Sequence, residues 1–272
     1  MTNATSARTA REKAAQLRAD AERASRRRRS RLVTAVVAAV VALAVATVVV
    51  VQQARHDTVT AAAAQPSGIP RNLLADGGIA GVFAGAAAPP AGGTPVTVEL
   101  WEDLQCPACR VFEEAQHATL ERWAKQGVVR LVYKPVAFLD RASTTQYSTQ
   151  AMIAAAAVVD SAPAAFPAFH DLLYAHQPAE GSAGLTDAQL VDYAAQAGAP
   201  RDAVASALAG RRYQGWTVQR TEDFSTRFTS TPTVVVDGTV LTPDDPASVI
   251  GAAALRAAVA TAAAAKGLPA PN

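Results

Sequence analysis

The sequence predicts an α/β domain with an all-helical insertion, preceded by a single transmembrane helix. One uncharged apolar segment is long enough to cross a bilayer, strand patterns stand near both ends of the remaining chain, and helical patterns alone fill the stretch between them. Half of the 272 residues are apolar, so the chain has enough apolar side chains for a sizeable core.

The apolar segment is residues 32–51, LVTAVVAAVVALAVATVVVV, in which only two threonines are polar. Its length matches a membrane-spanning helix. Residues 1–31 hold ten Lys and Arg against three Asp and Glu, so the positive-inside rule predicts a basic cytoplasmic segment, a transmembrane anchor and an extracytoplasmic remainder in the cell membrane. A cleavable signal peptide is the alternative, but its apolar region is normally shorter and is closely followed by a small-residue cleavage site.

Beyond the anchor, the composition divides the chain again. Residues 52–76 are rich in alanine and contain prolines, which predicts a linker, residues 77–265 have the patterns of a folded domain, and residues 266–272 form a tail. The chain after residue 31 carries fifteen basic against twenty acidic residues, which argues against nucleic acid as a partner.

Within the domain, apolar periodicity and turn residues predict the elements. A short apolar run between glycines in residues 77–93 predicts an initial edge strand, and Asp-Gly in the last strand region predicts a hairpin turn. The further predicted elements are a strand at 95–101, a helix at 107–126, a strand at 127–138, the helical insertion at about 144–211, a hairpin at 232–241 and a helix at 246–265.

The only two cysteines, Cys106 and Cys109, lie between the first long strand and the helix that follows. A zinc or iron–sulfur site usually takes four ligands, and none of the four histidines has ligand spacing to the pair, so we predict no metal site and no cofactor. A structural disulfide closing so short a ring would hardly constrain the unfolded chain. The spacing favours a redox pair, with Cys106 as the exposed nucleophile, activated at the helix start, and Cys109 as the resolving thiol, shielded one turn further in.

Two segments together resemble a known family. VELWEDLQCPACRVFEE is similar to the active-site region of DsbA-like thiol–disulfide oxidoreductases, and STPTVVVDG at 230–238 is similar to that family's second signature. The resemblance covers roughly residues 77–265. It implies a thioredoxin-like fold, catalytic Cys106 and Cys109, and a cis-proline at Pro232, with the backbone of Thr231 pairing with an extended substrate.

The residues between the cysteines depart from the strongly oxidising members of the family. The dipeptide is Pro107-Ala108, where those members have Pro-His, so one contribution to thiolate stabilisation is missing. We therefore expect a less extreme redox potential.

Acidic residues before the cysteines are further candidates. Asp103 matches an aspartate common in this branch, and we assign it a candidate role in proton transfer to Cys109. We expect Glu99 and Glu102 to be solvated surface carboxylates and Trp101 to be a core residue.

The sequence predicts an extracytoplasmic oxidoreductase that exchanges disulfides with secreted or envelope proteins. The resemblance favours an oxidase, with a quinone-linked membrane protein as its redox partner. A reductase or isomerase of the same fold is the first alternative. A non-enzymatic envelope binding module with an inert disulfide is the second, although such a module would need neither the cysteine pair nor the Thr-Pro motif.

Overall fold

The computed structural model describes residues 68–90, 93–243 and 249–272. The predicted cytoplasmic segment 1–31, the predicted anchor 32–51 and most of the predicted linker lie outside the described residues. Within the described ranges, none of the helices combines the length and apolar character needed to cross a bilayer.

The described residues contain a mixed five-stranded sheet in the order β1-β3-β2-β4-β5. Strands β2 and β3 run parallel, and the other neighbouring pairs are antiparallel. The strands are β1 (Ile79–Ala80), β2 (Val96–Glu102), β3 (Val129–Pro135), β4 (Thr233–Val236) and β5 (Thr239–Leu241). The predicted short edge strand and the predicted hairpin are therefore present.

The β4–β5 turn has the backbone that its sequence predicts. Asp237 and Gly238 both have left-handed backbones, with φ of 44° and 84°. Consecutive positive φ angles are typical of a tight hairpin turn, which Asp-Gly favours.

Seven α-helices lie in the described ranges. The helix after β2 and the helices of the insertion agree with the prediction to within a few residues, and the last helix begins later than the predicted residue 246. The helices are α1 (Pro107–Lys125), α2 (Tyr147–Ser161), α3 (Phe166–Ala175), α4 (Asp187–Gln196), α5 (Arg201–Ala209), α6 (Gln214–Arg227) and α7 (Ala252–Ala265).

Helix α6 extends the helical block beyond the predicted boundary at residue 211. Its sequence, QGWTVQRTEDFSTR, buries only Trp216, Thr217 and Phe224. So few apolar residues give the segment a predominantly polar composition, which explains why the sequence did not reveal this helix.

Helix α2 is the central helix of the insertion. Almost all of its side chains are buried, and it contacts α3, α4, α5 and α6. Its run of alanines leaves room for neighbouring helices on every side, which fits a helix that is apolar all round.

Contacts continue on both sides of the predicted domain 77–265. On the N-terminal side, the Arg71 guanidinium lies 2.9 Å from the Asp160 carboxylate at the end of α2. On the C-terminal side, Leu268 is buried, and the Trp123 indole N–H donates to the Asn272 carbonyl at 2.8 Å.

Candidate active site

The cysteine pair lies at the start of α1. Cys106 is the N-cap residue, with an extended backbone (φ −75°, ψ 119°), and Pro107 occupies the first turn. The Cys106 N–H donates to the Asp103 carbonyl at 2.9 Å, which closes the turn before the helix. Because the first N–H groups of a helix have no intrahelical acceptor, this position favours a negatively charged Cys106 sulfur.

The Thr231–Pro232 segment of the second signature lies beside the Cys106 sulfur. The Thr231–Pro232 peptide bond is cis, as the resemblance implies, and the Cys106 Sγ lies 3.4 Å from the Thr231 carbonyl oxygen. Strand β4 begins directly after the proline and pairs with β2, Trp101 opposite Thr233. This pairing brings the Thr231 carbonyl to Cys106, which is 125 residues away in sequence.

Accessibility differs between the two thiols, but less than the sequence predicted. Cys106 is 7% exposed and Cys109 is 1% exposed. The prediction of an exposed Cys106 therefore needs correction: it is the more accessible thiol, but the residue is largely buried, with the Thr231 carbonyl close to its sulfur. Within the dipeptide, Pro107 is exposed and Ala108 is half-buried.

The environment moves the two thiol pKa values in opposite directions. The hydrogen bond from Cys109 is the main cause that lowers the pKa of Cys106 to about 6, and Thr231 and the first backbone N–H groups of α1 contribute while burial opposes. Burial, followed by the hydrogen bond to Cys106 and repulsion from it, raises the pKa of Cys109 well above its usual range. At neutral pH, the pair therefore holds its negative charge on Cys106.

The helical insertion holds the active-site loop through its backbone. The Gln177 side-chain amide donates to the carbonyls of Cys106 at 3.0 Å and Leu104 at 3.3 Å. The active-site loop also donates to the insertion, because the Gln105 side chain donates to the Ala179 carbonyl at 3.1 Å. The insertion thus positions the start of α1.

Asp103 is fully buried beneath this loop. Its carboxylate accepts from the Gln105 N–H at 2.8 Å, the Ser148 hydroxyl at 2.7 Å and the Leu139 N–H at 2.8 Å. Burial raises its pKa to about 7, and these hydrogen bonds oppose the rise. Asp103 therefore braces three segments, while its role in proton transfer to Cys109 stays a prediction.

The expectation that Glu102 is a solvated carboxylate is wrong. Glu102 is 2% exposed, and its two oxygens contact the His170 Nε2 at 2.7 Å and the Tyr174 hydroxyl at 3.0 Å. Burial raises the pKa of Glu102, against the attraction of His170. Burial lowers the pKa of His170, but attraction to Glu102 and their hydrogen bond outweigh it and raise the value to about 9.

Of the two other β2 residues with a stated expectation, Trp101 confirms it and Glu99 departs from it. Trp101 is buried and packs against Phe224 and Phe228 of the C-terminal part, as expected for a core residue. Its indole N–H donates to Glu99 at 3.1 Å, so Glu99 is half-buried and paired rather than freely solvated.

Sequence reasoning missed the residues that the insertion contributes to the site: Ser148, His170, Tyr174 and Gln177. One available signal was the spacing of His170 and Tyr174, four residues apart, which places two polar side chains on one face of a mainly apolar helix. The partner of that face, Glu102, is 68 residues away from His170, and no local pattern indicates such a pair.

Comparison with known proteins gives a consistent assignment. A thioredoxin family model matches residues 91–252. The reduced crystal structure of DsbA from Mycobacterium tuberculosis is 28% identical, with a TM-score of 0.56 over 68% of this chain and 91% of that chain. Reduced DsbG from the same organism, described as a disulfide bond oxidoreductase, is 29% identical, with a TM-score of 0.56 over 68% and 86%.

A third solved structure, the MdbA thiol-disulfide oxidoreductase from Actinomyces oris, shares the fold at 21% identity, with a TM-score of 0.56 over 72% of this chain and 93% of that one. No curated protein sequence matches the chain. The family model covers more than half of the chain and includes both cysteines, and the similar structures cover about two thirds of the chain or more. The chain belongs to the thioredoxin family, and it is a protein thiol–disulfide oxidoreductase.

Proposed function

We propose that this chain is a membrane-anchored oxidase that introduces disulfides into secreted or envelope proteins outside the cytoplasm. The direction of the reaction is supported by the position of Cys106 at the start of α1 beside Thr231, an environment that lowers its pKa to about 6. A stabilised thiolate favours the reduced form of the pair, and this makes the disulfide form an oxidant.

In the proposed reaction, a substrate thiolate attacks the Cys106 sulfur of the Cys106–Cys109 disulfide. This step forms a mixed disulfide and releases the Cys109 sulfur, which takes up a proton because burial disfavours its thiolate. A second substrate thiolate then attacks the substrate sulfur of the mixed disulfide, closes the substrate disulfide and releases Cys106 as a thiolate. The two electrons end on the cysteine pair, and a quinone-linked membrane protein is the proposed acceptor that reoxidises it.

Substrate docking is proposed beside Thr231. Pro232 has no backbone N–H to offer, whereas the Thr231 carbonyl oxygen lies 3.4 Å from the Cys106 sulfur. An extended peptide paired with this backbone would place its own sulfur near Cys106, the more accessible of the two thiols.

A pair of assays tests the direction. We expect the oxidised full-length chain to form disulfides in reduced, unfolded ribonuclease at a rate that exceeds its catalysis of insulin reduction by dithiothreitol. A chain that catalyses insulin reduction efficiently and leaves ribonuclease unoxidised would be a reductase. A chain inactive in both assays would contradict the redox role of the cysteine pair.

The proposed location rests on the basic segment 1–31 followed by the apolar segment 32–51. We expect a reporter fused after Asn272 to be active only in the extracytoplasmic compartment, and we expect carbonate washing to leave the protein in the membrane fraction. Recovery of a soluble species that begins near residues 55–65 would instead indicate a cleaved signal peptide.

A further inference from the structure

A second polar cluster joins the active-site helix to the insertion. Glu113 and His117 lie one turn apart on α1, and His170 lies on α3. One potential ligand atom from each of these three side chains lies within 4.8 Å of the other two. The sequence prediction of no metal site considered only ligand spacing to the cysteines, so it did not consider this group.

Two atoms of the cluster have no hydrogen-bond partner among the described residues. They are the Nδ1 of His170 and the Oε1 of Glu113, in side chains that are 1% and 5% exposed. Whichever protonation state His170 takes, its Nδ1 remains a buried polar atom without a partner. Such orphaned atoms are costly in a folded protein, and each requires an explanation.

The other nitrogens of the two histidines face carboxylates. His170 Nε2 lies 2.7 Å from Glu102, and His117 Nε2 lies 3.3 Å from Asp171. Metal-binding histidines typically donate the second ring N–H to a carboxylate, which fixes the tautomer and leaves the other nitrogen free to bind the metal. Both histidines therefore have the outer partner expected of a ligand.

We propose that Glu113, His117 and His170 form a zinc site. Two imidazoles and one carboxylate are a donor set that Zn²⁺ accepts, and a water molecule would complete four-coordination. Calcium is a poor fit, because it prefers oxygen ligands throughout. His117 Nδ1 lies 3.1 Å from Glu113 Oε2, a hydrogen bond that requires a shared proton, and zinc would displace that proton on binding.

The proposed ion has a structural role. It would tie α1, whose N-cap residue is Cys106, to α3, which supplies Tyr174 to the buried contact with Glu102. It would also give the buried Oε1 of Glu113 a bonding partner. The inference does not depend on whether the cysteine pair oxidises or reduces its substrates.

The test measures zinc binding by the full-length chain carrying Cys106→Ser and Cys109→Ser, so that thiolates cannot bind the metal. We expect about one zinc per chain after dialysis, and we expect Glu113→Gln and His117→Gln each to weaken binding at least about tenfold. Glu102→Gln keeps every ligand but removes the charged outer partner of His170, and such changes typically cost about 10–100-fold in affinity.

The matched control is His176→Gln, an exposed histidine outside the cluster, which should bind zinc as the parent chain does. Zinc at about a hundredfold excess over its Kd should raise the Tm of the parent by roughly 5 °C or more. The shift should disappear in His117→Gln, and calcium should produce none. His117 is partly exposed, so this variant is the one expected to fold without metal. No zinc on the parent chain, or equal affinity in the parent, Glu113→Gln and His117→Gln, would overturn the proposal.

Discussion

Cys106 and Cys109 lie one helical turn apart at the start of α1, and the fold gives them opposite chemistry. The Cys106 sulfur accepts a hydrogen bond from Cys109 and lies beside Thr231 and the first N–H groups of α1, and its pKa falls to about 6. Cys109 points into the apolar core, where burial raises its pKa. Depth below the helix start, rather than residue type, therefore assigns the roles of nucleophile and resolving thiol.

The two buried acids beneath the cysteine pair, Asp103 and Glu102, differ in how completely their surroundings are hydrogen-bonded. Asp103 accepts hydrogen bonds from three donors contributed by three segments. Glu102 contacts His170 and Tyr174, and the adjoining cluster still contains buried atoms without partners. A fully paired buried carboxylate is explained as a brace, whereas an incompletely paired cluster suggests a further ligand.

Removing each thiol gives the largest expected difference. Cys106→Ala should abolish disulfide exchange and trap no substrate, because the accessible, activated sulfur is lost. Cys109→Ala should accumulate mixed disulfides at Cys106, since the resolving thiol is gone. Non-reducing gels and mass spectrometry of the two variants measure this, and adducts at Cys109 in the Cys106 variant would reverse the assigned roles.

Alkylation of the reduced chain compares the thiols directly. The Cys106 rate should rise between pH 5 and 7 with a midpoint at about 6, because the pKa is lowered and the thiolate is the reacting species. At pH 6.5 we expect Cys106 to react at least about tenfold faster than Cys109, even though a low-pKa thiolate is intrinsically less nucleophilic. Peptide mapping after a quench gives both rates, and equal labelling would contradict the difference in environment.

Changes in the brace should affect stability more than thiol chemistry. In Asp103→Asn, the amide nitrogen must face at least one of the three donors, so we expect a loss of roughly 1–3 kcal/mol in the free energy of unfolding. Ser148→Ala removes one donor and should cost about 1 kcal/mol. Glu114→Gln, an exposed control on α1, should stay within about 0.5 kcal/mol. Denaturant unfolding measures all three, and an unaffected Asp103→Asn would contradict the bracing role.

Thr231→Val should give the smallest effect. The hydrogen bond from the Thr231 side chain lowers the Cys106 pKa less than the hydrogen bond from Cys109 does, and valine cannot form it. The pH midpoint of alkylation should therefore rise in this variant, but by less than in Cys109→Ala. A midpoint that does not move would remove Thr231 from the causes of thiol activation.

Local patterns were sufficient to predict the frame of the site. The alternation in β2, Pro107 at the helix start and Asp-Gly at the hairpin turn each determine structure within a few residues of themselves. The resemblance added Pro232, and the structure brings its loop to Cys106 through the pairing of β4 with β2.

The polar layer below the cysteines could not be predicted in the same way. The sequence around Glu102 does not indicate that it is buried, because its partners, His170 and Tyr174, lie on a helix about 70 residues further along the chain. Burial of a charged residue depends on such distant partners rather than on its neighbours in sequence. The contacts of Ser148 with Asp103 and of Gln177 with the Cys106 carbonyl escaped prediction for the same reason.

Equilibration of the full-length chain with glutathione buffers tests the central claim most directly, because it measures how far the fold favours the reduced pair. A Cys106 pKa of about 6 predicts a potential clearly less negative than the roughly −270 mV of thioredoxin. Without an imidazole between the cysteines, it should not reach the roughly −120 mV of DsbA. A potential at or below about −270 mV would mean that the pair acts as a reductant, and it would contradict the proposed oxidase.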